Sequence, residues 1–222
     1  MLLCAAASVR VLAEPLEIGE ARAPEPFTLE QRLLDAARHG DRATLERALA
    51  KGAALEARDE AGRGALLLAA RDARDLALVQ WLHARGAAFD APDATGRAAL
   101  SWAAAAGDRE LAEWLLAHGA AADRPDADRR TPLFHAAAGG HVEIARALLG
   151  RGAAVDAADR FGDTPLMVAC IRGQNAIAEL LRASGADPRR RNQEGRTPAE
   201  RAAPSAPACR APTPTAKPTA WR

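Results

Sequence analysis

TPLFHAAAGGHVEIARALLGRGAAVDA (131–157) decides how the rest of the chain is read, because it returns 33 residues later as TPLMVACIRGQNAIAELLRASGAD (164–187). Both stretches carry Thr-Pro-Leu, a pair of small residues, a Gly, a Leu-Leu and a Gly-Ala at matched offsets. Working outward, Gly52, Gly86, Gly119, Gly152 and Gly185 follow one another at 34, 33, 33 and 33 residues, and each is followed by Ala. Nineteen or twenty residues before each stands Leu33, Leu66, Leu100, Leu133 or Leu166. A small pair follows each Leu: Ala36-Ala37, Ala69-Ala70, Ala103-Ala104, Ala136-Ala137 and Ala169-Cys170. A period of this length marks an array of supersecondary units, each burying its apolar face only against its neighbours.

Within a period the residues spell helix, tight turn, helix, loop. Thr131 and Thr164 offer a hydroxyl to the free N–H groups of a helix start, and the Pro after each has no N–H to leave unpaired. The set Val142, Ile144, Leu148 and Leu149 has helical spacing for a second helix. The Gly beyond it supplies the left-handed conformation that ends a helix. Between units, Asp59-Glu-Ala-Gly62-Arg63, Asp93-Ala-Thr-Gly96-Arg97 and Asp159-Arg-Phe-Gly162-Asp163 have turn chemistry and should project as hairpins.

The pattern T-P-L-x-x-A-A-x-x-G with a Leu-Leu-x-x-Gly-Ala ending resembles the ankyrin repeat. The resemblance covers residues 28–203 and implies an all-α solenoid of stacked helix-turn-helix units with hairpin loops. The units fall at about 28–58, 59–91, 92–124, 125–157 and 158–190, with a partial C-terminal cap at 191–203. The first lacks a hairpin, as an N-terminal capping unit would. The second lacks Thr-Pro and has one extra residue with no Gly at Arg71–Asp75, so its inter-helix turn should be distorted.

Composition agrees with a helical array. The 222 residues are 49% hydrophobic, mostly Ala and Leu, with four Phe, four Trp and no Tyr. With 30 Lys and Arg against 29 Asp and Glu, no net field favours nucleic acid or an anionic membrane, and no apolar run is long enough to span a bilayer. Cys4, Cys170 and Cys209 are too few for a disulfide framework or a zinc site. Cys170 holds a slot that is Ala in the other units and reads as a buried small residue. The His residues have no metal-ligand spacing, and no nucleophile or phosphate-loop motif occurs. The chain is therefore expected to be no enzyme and to take no cofactor or metal.

Residues 1–27 form an apolar head and a Pro-containing linker. MLLCAAASVRVLA has small residues placed for signal cleavage but no basic start, so it reads either as a truncated signal peptide or as a plain apolar N-terminus. As written the chain would be cytoplasmic; the first reading makes it periplasmic or secreted. Residues 204–222, rich in Pro, Ala and Thr, are expected to be a disordered tail.

The resemblance further implies protein binding through a concave face of hairpin tips and first helices, by a monomer with an unidentified protein partner. Carried over unit by unit, the candidates are Arg63, Arg97, Asp128, Arg130, Arg160, Phe161, Asp163, Ile171, Arg172 and Arg196. Arg63, Arg97, Arg130 and Arg196 share one hairpin offset and should form a cationic ladder spaced roughly 10 Å, open to acidic groups of a partner. Phe161, an aromatic at a hairpin tip, is the sharpest single candidate for an anchor, the other reading being that it packs against the adjacent hairpin. Trp81 and Trp114, 33 residues apart on second helices, are expected to stack across units. An alternative function is a dedicated inhibitor or protective partner of one enzyme.

Overall fold

The computed structural model describes residues 27–202 together with Ala206 and Cys209. The apolar head and the rest of the tail lie outside the described residues. Five helix pairs stack in chain order: α1 (Leu29–His39) with α2 (Arg42–Ala50), α3 (Ala65–Leu68) with α4 (Leu76–His83), α5 (Ala99–Ala106) with α6 (Arg109–Ala117), α7 (Pro132–Gly139) with α8 (Val142–Gly150), and α9 (Pro165–Arg172) with α10 (Asn175–Ala183). A four-residue helix, α11 (Pro198–Arg201), follows the last pair.

Helix starts follow the residues available to cap them. Thr131 accepts from the Phe134 N–H and Thr164 from the Met167 N–H, each with Pro at the first helical position. Thr28 with Gln31, and Thr197 with Glu200, close full capping boxes on α1 and α11. Ala98 and Gly64 leave α5 and α3 without a side-chain cap. On the second helices Asp41, Asp75 and Asp108 cap through their carboxylates, whereas His141 and Gln174 do not. The His141 ring instead lies against Gly107 of the preceding unit, where a Cβ would come within 2.5 Å of it. Its Nε2 is 3.3 Å from the Ala105 carbonyl. At these two units the turn side chain joins neighbours rather than capping its own helix.

The extra residue of the second unit is absorbed as a π-helical turn, Ala69–Ala73, continuing α3. With no Gly to end it, Arg74 takes the left-handed conformation at φ 51°.

The core runs along the stack. Leu33, Leu68, Leu133 and Leu166 on first helices, and Leu45, Leu82, Leu111, Leu115, Ile144, Leu148, Ile177 and Leu181 on second helices, are at most 2% exposed. The Ala pairs are at most 4% exposed, so neighbouring first helices meet backbone to backbone. Trp114 stacks on His118 with centroids 4.0 Å apart and meets the edge of His83, while Trp81 lies under Arg85 and Arg42. The expected Trp81–Trp114 stack is thus replaced by contacts with His and Arg, because His83 takes the place beside Trp114.

Candidate partner-binding face

Each hairpin is built around one acidic or amide residue. In the second unit the Asp59 Oδ1 accepts from the backbone N–H groups of Ala61 and Arg63. Asp93, Asp126, Asp159 and Asn192 repeat this with the residues two and four positions on. The tips then join one another. The N–H groups of Ala94, Ala127, Arg160 and Gln193 donate to the carbonyls of Ala61, Thr95, Asp128 and Phe161 at 2.8–3.0 Å. The hairpins therefore form one hydrogen-bonded edge along the stack instead of separate flexible loops.

The second carboxylate oxygen of each Asp reaches for a charge or a donor. Nine residues after Asp93 and Asp126, the first helix places Trp102 and His135. The Trp102 indole N–H donates to Asp93 at 2.9 Å, and His135 Nε2 lies 2.9 Å from Asp126. Burial pushes the Asp126 carboxyl upward, but the Arg130 N–H, His135 and Arg97 more than offset it and leave it below the ordinary carboxylate value. Asp59 and Asp93 are lowered the same way, burial again opposed by larger summed hydrogen bonding. His135 is pushed down, first by burial and then by the Arg97 charge, against the pull of Asp126. The neutral imidazole with its proton on Nε2 donates to the Asp126 carboxylate, which can only accept.

This network claims most of the cationic ladder. Arg63 pairs with Asp59 at 2.7 Å, and that hydrogen bond holds its guanidinium above the ordinary arginine value. Arg97 pairs with Asp126 at 3.3 Å and covers the Trp102 ring. Arg130 lies between Asp128 and Asp159 and over the Phe134 ring. Their side chains are only 20%, 22% and 28% exposed, against 60% for Arg196, which meets Glu194 at 3.5 Å. Arg97 and Arg130 thus brace one hairpin against the next, and Arg63 braces its own. Asp163, at the same offset in the fifth unit, is turned inward as well, accepting from Asn192 at 2.8 Å and Arg201 at 3.3 Å.

The remaining candidates stay at the surface. Phe161 is 47% exposed; the other large apolar side chain this open among the described residues is Phe27, at 59%. Arg160 covers the Phe161 ring at 4.6 Å and pairs with Asp128 of the adjacent hairpin at 2.9 Å. Arg160, Phe161 and Asp128 therefore form one cluster across two tips. Ile171 is half-buried and Arg172 exposed at the end of α9. The matching positions of the third and fourth units carry only Ala105, Ala106, Ala138 and Gly139. At the first two units Arg38 pairs with both Asp59 and Asp72, and Arg71 covers Trp102. The face is charged but self-paired at its start, smooth in its middle, and aromatic and cationic at its end.

Two features escaped sequence reading. A groove opens where the first unit lacks a hairpin, lined by Phe27, Leu34, Arg38, Asp59, Ala61 and Arg63. Cys170 is disulfide-bonded to Cys209. Cys170 is buried as its slot requires, but Cys209 and Ala206, within the stretch expected to be disordered, are buried too. The signal was present in two unusual placements, a Cys in an Ala slot and a Cys in a Pro-rich tail. Among the described residues no group of three or more His, Cys, Asp or Glu could hold a metal ion, and no helix is long and apolar enough to cross a membrane.

No curated protein matches the chain. A family model described as ankyrin repeats (3 copies) matches it at residues 33–126, 66–159 and 102–192. Those matches cover the same units whose Thr caps, Ala pairs and joined hairpins are described above, and the chain belongs to the ankyrin repeat family.

Proposed function

We propose that the chain is a non-catalytic protein-binding module whose partner seats on the face of hairpin tips and first helices, with Phe161 as the anchor. Ankyrin repeats generally mediate protein–protein interaction. The observation that carries the reading here is Phe161, half open to solvent on a hairpin fixed from three directions: Asp159 within it, Asp128 before it and Gln193 after it. An exposed aromatic on a rigid support loses little conformational freedom on binding, the usual condition for a strong anchor. The smooth surface of Ala105, Ala106, Ala138 and Gly139 leaves room for the partner's bulk beside it. Arg160, Arg172 and Arg196 supply positive charge around the anchor, suiting a partner with acidic groups flanking an apolar one. An inhibitor or protective partner of a single enzyme is the narrower form of the same reading, and a tight one-to-one complex that silences an activity would mark it.

The test is affinity capture under mild crosslinking from cells that make the protein, with the wild type and Phe161→Asp/Arg160→Glu side by side. Both positions are exposed, so circular dichroism and thermal unfolding should be unchanged. One dominant captured protein should be lost with the double variant. Retention of that protein at wild-type yield by a folded variant would overturn the assignment of the face.

A further inference from the structure

We propose that the Cys170–Cys209 bond is a redox latch that fastens the C-terminal segment over the open end of the array. Every first helix presents its small pair to the first helix of the next unit. That neighbour is why Ala37, Ala70, Ala104 and Ala137 are at most 4% exposed. The next first helix after α9 is only the four-residue α11, so the stack has no full sixth unit among the described residues to cover this surface. Yet Ala169 and Cys170 are fully buried.

The covering is completed from the tail. Ala206 and Cys209, 1% and 2% exposed, join the same apolar cluster as α9, and Ala202 packs against it. The two cysteines are 39 residues apart in sequence, with Cα atoms 5.6 Å apart. Since Ala fills the position of Cys170 in the other four units, packing alone does not call for a cysteine there; the thiol adds the bond. The latch also reaches the hairpins, because Arg201 of α11 pairs with Asp163 at 3.3 Å and Glu194 at 3.1 Å.

Closing the latch removes two protons and two electrons from the two thiols and passes them to a second disulfide by thiol–disulfide exchange. Opening reverses this with a dithiol reductant. Its thiolate attacks one sulfur, the other cysteine leaves as a thiolate and takes up a proton, and the reductant's second thiol resolves the mixed disulfide. Two thiols remain on the chain and one disulfide on the reductant. Both sulfurs are buried, so the segment carrying Cys209 must lift before a reductant can attack, and the rate of opening follows that local motion. In an oxidising compartment the array is sealed, and in a reducing one its last unit is loosened. The latch is independent of what binds at Phe161.

The experiment uses the full chain carrying Cys4→Ser, which removes exchange with the third cysteine. Alkylation without reduction followed by peptide mapping should recover residues 170 and 209 as one linked peptide pair. Dithiothreitol should then lower the unfolding midpoint by about 5–10 °C. It should also speed amide exchange in α9 and α11 by about tenfold while leaving α1 to α6 unchanged. Cys170→Ala installs the residue that the other units use; it should retain its helical circular dichroism, match the reduced protein and ignore dithiothreitol. Cys209→Ser should do the same. Recovery of both cysteines alkylated from protein purified under oxidising conditions would overturn the proposal, as would α9 exchange that is the same with and without dithiothreitol.

Discussion

Asp126 has a side chain only 2% exposed, and it is held by two backbone N–H groups, His135 and Arg97. His135 beside it sits below its ordinary value of 6.5, so it stays neutral in the fold over a range where the unfolded chain would already take up a proton. Below that value the unfolded state binds more protons, and the folded state loses stability as pH falls. Asp126, also lowered, adds a second loss in the acid range once its carboxyl must be protonated. Both groups act in the same direction. Thermal midpoints should therefore hold near neutral pH and decline as pH drops through about 6.5, and His135→Gln should flatten the first part of that decline. A profile rising toward acid would contradict this account of the network. At the tip of the same hairpin, Arg129 occupies the offset held elsewhere by Gly62, Gly96, Gly162 and Gly195, and takes φ 64°. A left-handed conformation costs a side chain about 1–2 kcal/mol. Arg129 is exposed, so Arg129→Gly sacrifices no core contact and should stabilise the protein by about 1 kcal/mol in urea unfolding.

At the scale of elements, the regular units and the irregular one differ for identifiable reasons. Units four and five have Thr caps, Pro at the first helical position and Gly at the helix end. Unit two has an uncapped α3, a π-helical turn and Arg74 in the left-handed region. In a stack of nearest-neighbour contacts, local defects lower local stability. Amide exchange should accordingly be fastest among the helices in residues 59–90 and slowest in residues 131–187 at pH 7; the opposite order would refute the assignment. The same elements mark how far sequence could be read. The period, the caps and the distorted turn were legible because each depends on local backbone chemistry. The fate of Arg63, Arg97 and Arg130 was not. Offset alone aligns them on one edge, but Arg63 turns to the Asp of its own hairpin while Arg97 and Arg130 turn to the Asp of the next one, and for those two the outcome is a relation between units. The Trp81 and Trp114 environments were hidden for the same reason: Trp114 meets His83 and Trp81 meets Arg42, contacts that depend on how the units stack.

Across the whole molecule, the array is braced along its hairpin edge by repeated Asp turns and tip-to-tip backbone bonds, and closed at its far end by α11 and the Cys170–Cys209 bond. Bracing that consumes the regular charges leaves the exceptional side chains as the free ones. Phe161 stands out because it breaks the small, polar composition of the other tips and remains 47% exposed. Recognition on such a scaffold resides in residues that the fold does not require, which is why the fold was legible and the partner was not.

Hydrogen-exchange footprinting of the purified chain with its captured partner shows directly whether the hairpin-side face is the working surface. Exchange should slow in the hairpins at 126–130 and 159–163 and at the end of α9, with the second helices α6, α8 and α10 unchanged. Protection confined to α6, α8 and α10, with both hairpins exchanging as in the free protein, would contradict it.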